Sequence, residues 1–143
     1  DDDETSIVHG DYRLDNMILN NNKVMGILDW ELSTLGHPIA DFSYHCLSWR
    51  TQEAFWDQSK LKELGIPNER EYMDMYCENT GKDLSKNWEF YMAFNMFKIA
   101  GILQGILGRV RDGTASSKHA EDRGMMVYPL SEAAWNTIKE NLL

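Results

Sequence analysis

His9-Gly10-Asp11-Tyr12-Arg13-Leu14-Asp15-Asn16, followed shortly by Gly26-Ile27-Leu28-Asp29-Trp30-Glu31, is the stretch whose reading decides the fold. Ile7 and Val8 run into a glycine and then an acid, and Asn16 follows five residues after Asp11. An apolar run at 17–19, a polar tip at Asn20, Asn21 and Asn22, and a second apolar run at 24–28 lead to Asp29. Two β-type runs joined by an Asn-rich connection predict a hairpin. Such a hairpin sets Asp11, Asn16 and Asp29 at its open end, where three oxygen-bearing side chains can converge. Taken alone, an acid after a strand is usually a turn former, and an Asn-rich tip is usually just a turn. The third group, Asp29, is what turns the pattern toward chemistry.

Phosphoryl transfer needs that convergence. One carboxylate accepts the proton of the attacking hydroxyl, while an Asn and a second carboxylate hold Mg²⁺ against the phosphates, because Mg²⁺ takes oxygen ligands and few protein groups. The run His9-Gly10-Asp11, then Asn16, then an apolar segment ending in Asp29-Trp30-Glu31 resembles the aminoglycoside phosphotransferase and choline kinase family, which shares the protein-kinase fold. The resemblance implies that Asp11 is the catalytic base and that Asn16 and Asp29 bind Mg²⁺ and, through it, ATP. Arg13 stands two residues after Asp11, the offset of a phosphate-contacting basic residue in the protein-kinase catalytic loop, which makes it a candidate contact to the transferred phosphate. His9 is expected to anchor the loop by hydrogen bonding. Glu31 is either a second metal ligand or a solvent-facing carboxylate.

Size and charge bound the remaining choices. The chain has 143 residues, enough for one sizeable core and short for two domains. A formal net charge of −9 argues against non-specific nucleic-acid binding, which needs a basic face. Cys46 and Cys77 lie far apart with no metal spacing, which fits a reducing compartment. The acidic start, residues 1–4, is the reverse of a signal-peptide n-region. The most apolar stretch, 93–107, is interrupted by Asn95, Lys98 and Gln104, so no membrane span is expected and the cytoplasm is the default.

Beyond Glu31, residues 32–38 read as a connection rich in turn formers. Pro38 then starts a helix bearing Ile39, Phe42, Tyr44 and Leu47. Asp41 falls early in that helix, where a carboxylate suits the positive end. The family resemblance implies that it braces the catalytic loop through backbone amides. His37, His45 and His119 show no ligand spacing. Residues 50–67, with Phe55 and Trp56, close on Gly65-Ile66-Pro67. Asn68 can cap a helix over 69–79 that Gly81 stops. The longest helical signal covers 85–111. Apolar residues occupy most of its circumference, so it is expected to be buried. Gly101, Gly105 and Gly108 suggest close approach by a neighbouring element. Arg109, Arg111 and Lys118 read first as cations at a helix C-terminus, and second as an anion-binding edge. A last helical region, 118–142, is expected to break at Pro129 and to pack Leu130, Ala133, Trp135 and Ile138.

The expected architecture is α+β and mostly helical: a catalytic β-hairpin on the C-terminal lobe of a protein-kinase-like fold, occupying 1–143. Kinase-like folds take their phosphate-covering loop and strand Lys from a preceding lobe. Only eight residues precede His9, so that nucleotide lobe is expected to lie outside this chain. Within the family, residues 29–36 and 101–109 resemble the branch fused to, or associated with, acyl-CoA dehydrogenases. That resemblance implies a small-molecule hydroxyl acceptor of acyl-CoA type, with a dehydrogenase domain as partner. An aminoglycoside- or choline-type kinase, a non-catalytic binding module and a Mg²⁺-dependent hydrolase are the other classes, and the motif order favours a kinase over a hydrolase.

Overall fold

In the computed structural model, which describes residues 4–51 and 58–141, Asn21 and Asn22 close the hairpin with φ of 48° and 60°. Positive φ at both central residues makes a two-residue turn whose twist matches the strands it joins, and Asn tolerates that conformation better than most side chains. The flanking strands β2 (Met17–Asn20) and β3 (Lys23–Ile27) pair antiparallel, from Met17↔Ile27 to Asn20↔Lys23, with an irregularity between Ile18 and Leu19. The second strand therefore ends at Ile27, two residues short of Asp29.

Residues 32–38 hold more than a connection. They contain a strand, β4 (Thr34–Gly36), antiparallel to β1 (Ser6–Val8), with Ser6 opposite Gly36 and Val8 opposite Thr34. Short 3₁₀ turns at Leu14–Asn16 and Trp30–Leu32 link the two small sheets. Helix α1 (Pro38–Cys46) begins with Pro38 in its first turn, where a missing N–H costs nothing. Its cap is His37, whose Nδ1 accepts from the Ile39 amide at 3.2 Å, a role not read from the sequence.

The stretch around 50–67, unassigned by its sequence, carries α2 (Ser48–Thr51) and α3 (Gln58–Glu63), while Phe55 and Trp56 lie outside the described residues. Helix α4 (Glu69–Thr80) has a full capping box: the Asn68 side chain accepts from the Glu71 amide and Glu71 accepts from the Asn68 amide, both at 2.9 Å. It ends at Gly81, whose φ of 72° suits a glycine stop. Aromatic stacking seats α4 on α1 and α2. Phe42 and Tyr76 stack with centroids 3.8 Å apart, Trp49 and Tyr72 at 5.2 Å, and Arg50 grips Glu69 with Nη2–Oε1 at 2.6 Å.

The chain divides into two units, Asp1–Lys86 and Asn87–Leu143. The second is built on α5 (Trp88–Arg111), against which α6 (Ala120–Met125) and α7 (Val127–Asn141) pack. Trp88, Met92, Ala93, Asn95, Met96 and Ala100 are buried, but Phe90, Phe94, Phe97 and Ile102 are exposed, Phe97 to 74%. The expectation of a helix buried all round is thus corrected. Apolar residues cover the circumference, while neighbours cover only part of it. By length and composition α5 could cross a membrane, so its polar interruptions do not by themselves exclude a span. In this fold its buried face is occupied by helix packing.

The glycine expectation fails in an instructive way. A Cβ on Gly101 or Gly108 would meet nothing within 4 Å, and one on Gly105 only the Arg109 guanidinium. The close approach is instead at Gly124 in α6, where a Cβ would fall 2.5 Å from Leu107 Cδ2. The break between the last two helices comes at Met126. Pro129 lies in the first turn of α7, which tolerates proline. Leu130 and Ala134 are buried there, whereas Trp135 is exposed.

These contacts set opposite outcomes for two similar substitutions. Gly124→Ala forces a methyl onto Leu107 and is expected to cost about 1–3 kcal/mol. Gly101→Ala enters open space on a helix and is expected to gain about 0.4–1 kcal/mol. Urea unfolding of the two variants beside the parent checks both signs.

Candidate active site

The loop after β1 is organised by its backbone amides. Gly10 has φ of 84°, and a Cβ there would sit 2.7 Å from the Leu32 carbonyl oxygen, so only glycine fits. Two successive N–H groups, those of His9 and Gly10, face α1. Asp41 takes both: Oδ2 accepts from the His9 amide and Oδ1 from the Gly10 amide, each at 2.8 Å.

Two more residues of α1 hold the same loop. Tyr44 donates its hydroxyl to Asp11 Oδ1 at 3.3 Å, and His45 Nδ1 donates to the Tyr12 carbonyl at 2.9 Å. Asp41, Tyr44 and His45 are spaced i, i+3 and i+4, which puts them on one helix face. Neither Tyr44 nor His45 was singled out for the site from sequence. The spacing from Asp41 was the available signal, but it becomes meaningful only once the loop is known to lie on that face. Burial first, and the Asp11 charge second, push the Tyr44 phenol above its ordinary value and keep it a donor.

His9 is 4% exposed. Its Nδ1 accepts from the Asp11 amide at 3.2 Å and its Nε2 donates to the Leu28 carbonyl at 2.8 Å, which sets the proton on Nε2. Its ring lies 4.7 Å from that of Trp30, whose Nε1 donates to the Ile27 carbonyl at 2.8 Å. The Leu28 amide in turn donates to the Asn16 carbonyl at 2.8 Å. Residues on both sides of Asp29 are therefore pinned, and Asp29 itself adopts the left-handed conformation at φ 61° and ψ 57°. Such a non-glycine residue stores about 1–3 kcal/mol of strain, commonly at a functional position.

Asn16 is buried, and its Nδ2 donates both to the Asp11 carbonyl at 2.8 Å and to Asp11 Oδ2 at 3.0 Å. Turning the amide over would place oxygen against oxygen, so its orientation is set and Oδ1 faces away from Asp11. The oriented Asn16 carboxamide oxygen and the exposed Asp29 carboxylate are oxygen donors of the kind Mg²⁺ accepts. Glu31, two residues beyond Asp29, is exposed. Among the described residues no three or more His, Cys, Asp or Glu side chains form a metal cluster. Arg13, more than half exposed, lies with Nη2 3.3 Å from Asp15 and Nε 3.8 Å from Asp11. The hairpin and its loops thus bring Asp11 and Asn16 into contact, and the Leu28 amide on the Asn16 carbonyl fixes the backbone one residue before Asp29. The cations Arg109 and Arg111 belong to the other unit, in the last turn of α5, where Arg111 pairs with Asp112 at 3.0 Å.

With that geometry established, the comparisons with known proteins are specific. Residues 1–76 match the phosphotransferase enzyme family. A crystal structure of a candidate aminoglycoside phosphotransferase from Ralstonia eutropha JMP134 superposes with a TM-score of 0.86 at 49% identity, over 95% of this chain and 43% of that one. Acyl-CoA dehydrogenase family member 10 of mouse is 45% identical over 139 residues, and family member 11 of human 37% over 137 residues. Each alignment takes in 92% of this chain but only 13% and 18% of those proteins. The chain belongs to the phosphotransferase enzyme family, and its fold is part of the kinase-like fold. It spans less than a fifth of the length of these curated relatives, which carry this domain.

Asp41→Asn separates its two hydrogen bonds. Its Oδ1 can still accept from one amide, but an NH₂ then faces the other. The expected loss is about 1.5–3 kcal/mol, since both bonds are charge-assisted. Urea unfolding, with hydrogen exchange at the His9 and Gly10 amides, measures it.

Proposed function

We propose that this chain is the acceptor-side part of an ATP- and Mg²⁺-dependent kinase that phosphorylates a small-molecule hydroxyl, with a hydroxyacyl-CoA or related hydroxy acid as acceptor. The observation that carries the reading is the Asp11–Asn16 contact, with the backbone leading into Asp29 tied to Asn16 through the Leu28 amide. Asp11 is the base that accepts the proton of the acceptor hydroxyl. Asn16 through Oδ1 and Asp29 through its carboxylate are the residues that would hold the metal, with Glu31, exposed two residues beyond Asp29, available to assist. When bound, Mg²⁺·ATP supplies the phosphoryl group and the neutralising charge at its phosphates. Arg13, resting on Asp15 and Asp11, is the exposed cation available to the transferred phosphate. His9 and Asp41 touch no substrate; they hold the loop.

The acceptor is argued from charge and shape. Aminoglycosides are polycations and call for several carboxylates around the acceptor pocket, whereas a hydroxyacyl-CoA is an anion with an apolar chain. Much of the acidity of this chain lies in its start and in Asp11, Asp15, Asp29 and Glu31, where Mg²⁺ would offset it. With that charge offset, an anionic acyl-CoA is the acceptor we propose. The same choice is supported by the acyl-CoA dehydrogenase relatives, and a dehydrogenase domain is the partner we propose. Free thiols at Cys46 and Cys77 accord with a cytoplasmic setting.

In the full-length protein, Asp29→Ala is expected to abolish Mg²⁺-dependent ATP binding, while Asp11→Asn leaves binding within about two-fold and lowers turnover by about 10²–10⁴-fold. Fluorescent-nucleotide titration and a coupled ADP assay separate the two. Equal losses of nucleotide affinity would refute the division of roles.

The acceptor is tested by competition. ATP consumption is followed with a kanamycin-type aminoglycoside and a hydroxyacyl-CoA together, and the phosphorylated product is identified by mass. We expect the CoA ester to be the product. Preferential phosphorylation of the aminoglycoside would remove the substrate claim and leave the kinase.

A further inference from the structure

We propose that Tyr44 is a positioning residue for the proposed base, Asp11, holding its carboxylate plane so that a lone pair faces the acceptor hydroxyl; this rests on the reading of Asp11 given above. In that reaction the acceptor O–P bond forms as the bond from phosphorus to the leaving ADP oxygen breaks, and the hydroxyl proton passes to Asp11. Proton transfer is directional, so the rotation of the carboxylate about its own axis matters as much as its location.

Two donors fix that rotation. From within the loop, Asn16 Nδ2 reaches Oδ2 at 3.0 Å. From α1, the Tyr44 hydroxyl reaches Oδ1 at 3.3 Å. A carboxylate has about four acceptor sites, so both bonds together leave lone pairs on each oxygen for the substrate. Arg13 Nε, 3.8 Å from Oδ2, is too far to orient it and is exposed. Without the Tyr44 hydroxyl, Asp11 is held along one edge only. Tyr44 is half-buried and lies on the helix face that carries Asp41 and His45, so the phenol is set by the same element that sets the loop backbone. Asp41 holds where the loop runs, and Tyr44 holds how its reactive side chain is turned.

The experiment uses the full-length protein with Mg²⁺·ATP and hydroxyacyl-CoA, and the variants Tyr44→Phe, Asp11→Asn and the double variant. Tyr44→Phe keeps the ring and removes only the hydroxyl. The expected result is kcat lowered on the order of 10-fold with KM for ATP within about two-fold. In the Asp11→Asn background the same change is expected to have no further effect on residual turnover, because the residue acts through Asp11. Urea unfolding of the four proteins gives a second cycle that needs no turnover, and a coupling between the two sites is expected there. Wild-type kcat in Tyr44→Phe, an equal loss in the Asp11→Asn background, or unfolding effects that simply add would each overturn the inference. An active parent with an indifferent Tyr44→Phe refutes Tyr44 alone. A parent that binds but never consumes Mg²⁺·ATP refutes the kinase reading and the positioning role with it.

Discussion

The rest of the site depends on one carboxylate receiving two backbone amides. Asp41 stands in the first turn of α1 and accepts from His9 and Gly10 at 2.8 Å each. Directly after these two amides the chain turns at Gly10, where φ is 84°. A side chain at that position would strike the Leu32 carbonyl, so the turn, the glycine and the neighbouring 3₁₀ segment are a single constraint. The alternative, two partly buried N–H groups without acceptors, would cost about 1–3 kcal/mol for each. A negative charge at that place also suits the positive end of α1.

From that clamp the strain at Asp29 becomes affordable. The left-handed backbone there is unfavourable by itself, but the Leu28 carbonyl is fixed by His9, the Leu28 amide by the Asn16 carbonyl, and the Ile27 carbonyl by Trp30. His9 can do this because its own amide is taken by Asp41 and its Nδ1 by the Asp11 amide. Each bond orients the group that makes the next. Ring packing between His9 and Trp30 keeps the imidazole from turning over.

How legible this was in the sequence varies with the physics of each element. The hairpin, the Pro38 start, the Asn68 cap and the Gly81 stop were readable because each rests on local stereochemistry: paired Asn at positive φ, a ring without N–H, a side chain reaching three residues on, a glycine turning left-handed. β4 was not readable. Three residues give no periodicity, and its pairing with β1 is a long-range event. The glycines of α5 misled because helix spacing shows which residues share a face, not whether anything covers it; the tight contact sits instead at Gly124, a residue with no pattern around it. Tyr44 and His45 had the right spacing from Asp41, yet only the folded loop supplies the partners that give the spacing meaning.

Asn16 carries the last step of this reasoning. Its two functional atoms serve two different sides of the proposed chemistry: Nδ2 is committed to Asp11, which leaves Oδ1 as the atom for the proposed metal. A carboxamide is a conjugated group, so drawing electron density toward Oδ1 makes the N–H a stronger donor. Under the proposed reaction, a cation held by Asn16 would therefore tighten the hydrogen bond that orients the base. Aspartate in place of Asn16 would keep the oxygen ligand but set a second carboxylate against Asp11, where like charges repel and no donor remains. The position needs a neutral group with a donor at one end and an acceptor at the other. Asparagine meets that need within the five-residue interval that the loop spans from Asp11.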